Sequence, residues 1–190
     1  MNDKITVGFA FTGSFCTISR VMSEAEKISK RMNVIPIFSE TAADTDSRFG
    51  DAKGFIERIG NATGKPVITS ISAAEPIGPK KLLDALVIAP CTGNTAAKLA
   101  NGIADTTVTL AAKSQLRNNR PVILAISTND GLGANAVNIG KLLARKNIFF
   151  VPFGQDDCIE KENSLISDFS LILPTVLAAL NNRQIQPILV

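Results

Sequence analysis

Between Asp84 and Asp105 the chain changes abruptly from a β-rich apolar run to a helical period, and that change recurs along the sequence. Asp84-Ala85-Leu86-Val87-Ile88 is short and apolar, the composition of a strand buried on both faces. Pro90 is expected to stop it. Cys91, Thr92, Gly93, Asn94 and Thr95 make a small polar turn, after which Ala96, Leu99, Ala100 and Ile103 repeat at helical spacing. Thr92 or Asn94 is placed to cap the new helix. A helix start offers unpaired N–H groups and the positive end of a dipole, so such a turn suits an anion, phosphate above all. An ordinary capped strand–helix connection has the same pattern, and the turn alone does not separate the two.

The same unit is expected elsewhere. Ile5 to Phe11 reads as a first strand, Thr12-Gly13-Ser14 as a turn, and Thr17 to Met32 as a helix with Ile18, Val21, Met22, Ala25, Ile28 and Met32 on one stripe. Asn33 to Ser39 reads as a second strand, with Pro36 suited to a sheet edge. A polar loop over Glu40 to Ser47, a helix over Arg48 to Ile59, a short strand over Pro66 to Thr69 and a shaped loop over Ser72 to Pro79 follow. Gly60 to Lys65 resembles a Walker A loop only superficially, because Pro66 stands where a hydroxyl is needed, and reads as a helix stop. Beyond the central turn come a helix over Asp105 to Asn118, a strand over Pro121 to Ile126 and a helix over Ala134 to Arg145. Ile148 to Phe153 reads as the last strand, and Asp156-Asp157 as a solvated loop or helix cap in preference to a metal site.

Alternating strands and helices with wholly apolar strands predict an α/β fold. The expectation is one domain over residues 1–190, an open and mainly parallel sheet with helices on both faces, Rossmann-like or flavodoxin-like. Leu165 to Leu180 is apolar nearly all round, and Pro174 is expected to kink or split it. That segment and the tail at about 183–190, ending Ile188-Leu189-Val190, are expected to lie against another copy in a homo-oligomer.

Composition narrows the chemistry. Charged residues make up 19% with a net charge of only +3, and the basic residues are scattered, so neither nucleic acid nor a membrane surface is an expected partner. No apolar run approaches the ~20 residues of a bilayer span. Met1-Asn2-Asp3-Lys4 leads straight into a strand pattern without a signal-peptide core, and the three cysteines show no CxxC spacing. A reducing, cytoplasmic setting is expected. The chain has no His, which removes Ser-His and Cys-His pairs and most catalytic zinc sites. It also lacks Trp and Tyr, leaving the near-ultraviolet clear for a bound aromatic cofactor.

In open parallel sheets ligands sit beyond the carboxyl ends of the strands, where the winding reverses. Thr12-Gly13-Ser14, Ser39, Cys91 to Thr95 and Ser127-Thr128-Asn129 all fall there. Hydroxyls, amides and helix starts can hold a phosphate without Lys or Arg. Every α/β protein has polar strand ends, however, and these residues do not name a ligand.

A name comes from motif resemblance. Ala89-Pro90-x-Thr92-Gly93-Asn94-Thr95, with Lys98-Leu99-Ala100 and Asp105 behind it, resembles the signature of FMN-binding flavoproteins that include peptidyl-cysteine and phosphopantothenoylcysteine decarboxylases. Arg48-Phe49-Gly50, Glu75-Pro76-x-Gly78-Pro79-Lys80, Ser127-Thr128-Asn129-Asp130 and Pro152-Phe153-Gly154-Gln155-Asp156-Asp157 are similar to motifs of the B-type dipicolinate synthase family. The resemblance implies FMN as cofactor, held by Thr12, Gly13, Ser14, Ser39, Pro90, Cys91, Thr92, Asn94, Thr95, Ser127, Thr128 and Asn129. Cys91, with no His to activate it, is expected to pack or touch flavin and not to act as a nucleophile. The related decarboxylases use a His near the first helix, and its absence here argues against that reaction.

The implied activity is oxidation of dihydrodipicolinate, or its hydroxy-tetrahydro precursor, to dipicolinate during sporulation. In that family the work is shared with a dehydrogenase-like partner, the A-type dipicolinate synthase chain. Arg48 and Lys80 are the candidate contacts for the small dicarboxylate, a surface role being the alternative for each. No residue is assigned as the catalytic acid or base. The alternative function is a non-catalytic component that binds and activates its partner on a flavoprotein scaffold.

Overall fold

In a computed structural model, residues 4–190 are described. The expectation for Met1, Asn2 and Asp3 lies outside the described residues. Five strands run parallel in the order β2 (Asn33–Phe38), β1 (Thr6–Phe11), β3 (Ala85–Cys91), β4 (Val122–Thr128) and β5 (Ile148–Phe150). Period-two alternation sends Val7, Phe9 and Phe11 to one side and Ala10 to the other; Val87 and Ala89 likewise oppose Leu86 and Ile88. Both faces are therefore apolar and both need cover. On the Phe9 side the cover includes α1 (Phe15–Ser29), α3 (Ala52–Thr63) and α8 (Ile172–Leu180). On the Leu86 side it includes α5 (Gly93–Ala100), α6 (Thr107–Arg117) and α7 (Ala136–Leu143). The α/β expectation holds, with β2 and its Pro36 at the sheet edge.

Several local expectations change. Pro90 does not stop β3, which continues to Cys91 through a shift in its pairing with β4 between Ile88 and Cys91. A residue without an N–H fits where the ladder is already interrupted. Glu40 to Ser47 is not all loop, since Glu40–Asp44 forms a short helix, α2, capped by Ser39, whose Oγ accepts from the Ala42 N–H at 3.2 Å. The following helix, α3, starts at Ala52 with Asp51 as its cap, leaving Arg48 and Phe49 in the turn before it. Pro66 to Thr69 contributes one bridge, Ile37 to Ile68, and Ser72 to Pro79 includes part of a one-turn helix, α4 (Ile71–Ala74).

The largest departure concerns the last strand. Pro152 separates β5 from β6 (Phe153–Asp157), and β6 folds back on β7 (Lys161–Ser167) as an antiparallel hairpin. This hairpin borders the carboxyl end of β4, with Ser127 opposite Ile166 and Thr128 opposite Leu165. Leu165 to Ser167 is thus strand and not helix; a run with no polar face suits either when buried. Asp156 pairs with Lys161 at 2.8 Å, while Asp157 caps the hairpin turn by accepting from the N–H groups of Ile159 and Glu160. Pro174 falls in the first turn of α8, where its missing N–H leaves no gap, so it begins the helix without splitting it. The tail returns to its own chain: the Phe153 N–H donates to the Ile188 carbonyl and the Val190 N–H to the Phe153 carbonyl. The side chains of Leu189 and Val190 remain exposed. No described helix is long and apolar enough to cross a membrane.

Candidate functional site along the carboxyl rim

The carboxyl ends of β2, β1, β3 and β4 form one rim, with the order reversing between β1 and β3. Thr12 fastens that reversal. Its buried hydroxyl donates to the Pro90 carbonyl and accepts from the Thr92 N–H at 3.2 Å, joining the turn after β1 to the turn after β3. Thr92 caps α5, its Oγ1 accepting from the Thr95 N–H at 3.3 Å, and the Ala96 N–H donates to the Thr92 carbonyl. The Gly93 and Asn94 N–H groups have no protein acceptor among the described residues, so the start of α5 presents free donors.

Gly93 makes this approach possible. Beneath it, Thr128 Oγ1 and Asn135 Nδ2 both donate to the Asp130 carboxylate, and Asn138 Nδ2 donates to Asn135 Oδ1 at 2.9 Å. A Cβ at position 93 would stand 2.5 Å from Asn135 Nδ2 and 2.6 Å from Thr128 Oγ1. Any larger residue would force that network or the start of α5 to shift.

Two chambers open along the rim and meet at Gly13 and Thr92. The narrower, of ≈ 460 Å³, is bordered by Thr12, Gly13, Ser39, Thr92, Asn94 and Thr95. The wider, of ≈ 580 Å³, is bordered by Gly13, Ser14, Arg48, Ser127, Thr128 and Asn129. On its wall Ser14 and Ser127 share a hydroxyl contact of 2.9 Å, and Thr17 Oγ1 lies 3.1 Å from Ser14 Oγ.

Three sequence candidates fall outside both chambers. Pro90 and Cys91 are buried beneath the rim, and Lys80 lies on the segment leading to the amino end of β3, away from the carboxyl rim. Burial pushes the Cys91 thiol up to about 12 from 9.0. A thiol held neutral in the fold adds stability below its unfolded value, and that contribution is lost as pH climbs from there toward the folded value. At a pH of about 8, a thiol reagent should modify exposed Cys16 and Cys158 and reach Cys91 only after denaturation. Peptide mapping checks this; labelling of Cys91 as fast as Cys158 would contradict a packed floor.

Glu40 is not evident from the sequence, because its segment reads as a loop. Its Oε1 accepts from the Thr107 N–H at 2.9 Å and the Thr107 hydroxyl at 2.7 Å, while its buried Oε2 has no partner and its residue borders the narrow chamber. Lys98 and Asp105, also on that wall, pair at 2.8 Å, which holds the Asp105 carboxyl below its usual range. The hairpin residues Lys161 and Ser164, and Arg20 on α1, border the wide chamber and are likewise additions to the sequence candidates. Neither Arg20 nor Lys161 lies at the carboxyl end of a parallel strand, the one signal by which the sequence marks this rim.

Comparison with known proteins identifies the family and the fold. The Flavoprotein family profile matches residues 1–179. The B-type dipicolinate synthase chain of Bacillus subtilis is 46% identical over 97% of this chain and 92% of its own length. The crystal structure of its counterpart from Bacillus halodurans, also a B-type dipicolinate synthase chain, superposes with a TM-score of 0.90 at 44% identity, covering 100% of this chain and 98% of that one. DmrB of Burkholderia xenovorans, solved in complex with FMN, shares the fold at a TM-score of 0.65 and 19% identity, over 79% of this chain and 89% of its own.

Proposed function

The chain belongs to the Flavoprotein family and, within it, to the B-type dipicolinate synthase group, and from that membership we propose an FMN-binding component that helps oxidise dihydrodipicolinate, or its hydroxy-tetrahydro precursor, to dipicolinate. The observation carrying the cofactor assignment is the start of α5, where Thr12 fixes the turn, Gly93 clears the approach, and two backbone N–H groups stay open. The orphaned Glu40 Oε2 supports it too, as an acceptor suited to a ligand hydroxyl.

The residues present fit the group. Ser39, Thr12, Gly13, Thr92, Asn94 and Thr95 in the narrow chamber, with Ser14 on the adjoining wall of the wide one, would hold the phosphate and ribityl chain. Ser127, Thr128 and Asn129 would border the ring. Bound FMN would supply a hydride acceptor. Thr128 commits its hydroxyl proton to Asp130, so that oxygen can only accept from a ligand. The Ser14, Thr17 and Ser127 hydroxyls can turn to donate or accept.

The proposed partner is a dehydrogenase-like chain, in the cytoplasm. The exposed side chains of Leu177, Leu189 and Val190 support further self-association, and elution from gel filtration as a stable monomer would contradict it. The activity test mixes both components with precursor, using this chain either stripped of FMN or loaded with it. Dipicolinate should form only with loaded protein. Equal formation in both samples would remove the redox role and leave a scaffold that activates its partner.

A further inference from the structure

Of the six arginines away from the wide chamber, Arg31, Arg117 and Arg183 have no side-chain hydrogen bond or ion pair among the described residues, while Arg58, Arg120 and Arg145 are committed to protein acceptors. Arg58 donates to Glu26, Arg120 to the Leu83 carbonyl, and Arg145 to the Leu99 carbonyl. The two that border the wide chamber are uncommitted. Arg20 and Arg48 have neither a hydrogen bond nor an ion pair among the described residues, and each lies over a phenylalanine ring. The Arg20 guanidinium carbon is 5.3 Å from the centre of the Phe169 ring, and that of Arg48 is 4.9 Å from the Phe49 ring. A ring against the guanidinium leaves its N–H edge free, the edge that meets a carboxylate in paired hydrogen bonds.

The turn carrying Arg48 is built and not loose. Ser47 and Gly50 exchange backbone hydrogen bonds at 3.0 and 3.1 Å, and Asp46 accepts from the Ala52 N–H at 2.9 Å. Lys161 on β7 adds a third cation to the chamber's border, which Asp156, the only bordering acid among the described residues, already partners at 2.8 Å. The two arginines therefore leave the chamber with uncompensated positive charge. Its remaining border mixes apolar Phe15, Leu165 and Ile166 with hydroxyls, which suits a flat ring with charged ends.

We propose that the wide chamber receives a small planar dicarboxylate, one carboxylate on Arg20 and the other on Arg48, with the Lys161 hairpin as its outer wall. The proposal takes its probe from the dipicolinate reading above, but the clamp itself needs no flavin. It adds Arg20 and the hairpin to the single sequence candidate, Arg48, and assigns the narrow chamber no part in holding the carboxylates.

Pyridine-2,6-dicarboxylate titrated into the full chain by calorimetry, with and without FMN, tests the clamp. Arg20→Met and Arg48→Met should each raise Kd about tenfold or more, the size of one lost charge-assisted hydrogen bond. Pyridine-2-carboxylate should bind more weakly than the dicarboxylate. The FMN affinity of both variants should stay at the wild-type value, and far-ultraviolet circular dichroism establishes that they fold. Arg20→Lys, which keeps the charge and stem over Phe169, should lie between wild type and Arg20→Met. If FMN fails to bind while the dicarboxylate still responds to both arginines, the flavin reading falls and the clamp stands. Dicarboxylate binding indifferent to both substitutions, or no binding to wild-type protein with or without FMN, would overturn the clamp.

Discussion

Replacing Gly93 with alanine is expected to weaken FMN binding about a hundredfold or more and to lower the melting temperature. The added Cβ would meet Asn135 Nδ2 at 2.5 Å and Asp130 Oδ1 at 2.8 Å, so either the start of α5 or the hydrogen-bonded network beneath it must move. Overpacking of this kind costs ~1–3 kcal/mol. In a chain of this size that corresponds to a fall of roughly 2–12 °C. Affinity should suffer more than stability, because displacing α5 takes both open N–H donors from the phosphate at once. At ~1.5–3 kcal/mol for each charge-assisted bond, the loss is about a hundredfold or greater. Thermal melting by circular dichroism and a flavin fluorescence titration measure the two effects. Shortening the obstructing side chain in Gly93→Ala/Asn135→Ala should recover part of the affinity, and an unchanged FMN Kd in Gly93→Ala alone would contradict the account of α5.

Thr12→Val should be the more damaging change to the fold. Valine keeps the shape and removes the hydroxyl, leaving the Pro90 carbonyl without its donor and the Thr92 N–H without its acceptor. An unsatisfied buried polar group costs ~1–3 kcal/mol, so the two together predict a loss of about 2–6 kcal/mol. The urea midpoint should fall with little change in slope, as expected when stability but not compactness is altered. Thr12→Ser retains the hydroxyl and should recover most of the difference. A Thr12→Val protein as stable as wild type would show that the two turns are held together by something else.

The parts of this molecule legible in the sequence are those set by local chemistry. The runs that form β1, β3 and β4 are apolar on both faces, and that alone requires helices on both sides. Thr92 reads as a cap because a hydroxyl stands just before a helical period, and it is one. What depends on distant partners is not legible. The β6–β7 hairpin needs the free edge of β4 beyond β5, and nothing in Phe153 to Ser167 announces that edge. Glu40 matters because Thr107, far along the chain, donates to it, and Arg20 matters because it lies over Phe169 and beside the hairpin. Lys80 is the opposite case: its motif resembles a family signature, but its segment leads to the amino end of β3 and cannot turn back to the rim.

The most direct measurement is a titration of the purified chain with FMN, followed by absorbance and flavin fluorescence, where the absence of Trp and Tyr leaves the near-ultraviolet to the cofactor. Saturable binding of one FMN per chain, weakened about a hundredfold or more in Gly93→Ala, is the result expected if the carboxyl rim is a mononucleotide site. Absence of saturable binding to wild-type protein, or equal binding by Gly93→Ala, would contradict it.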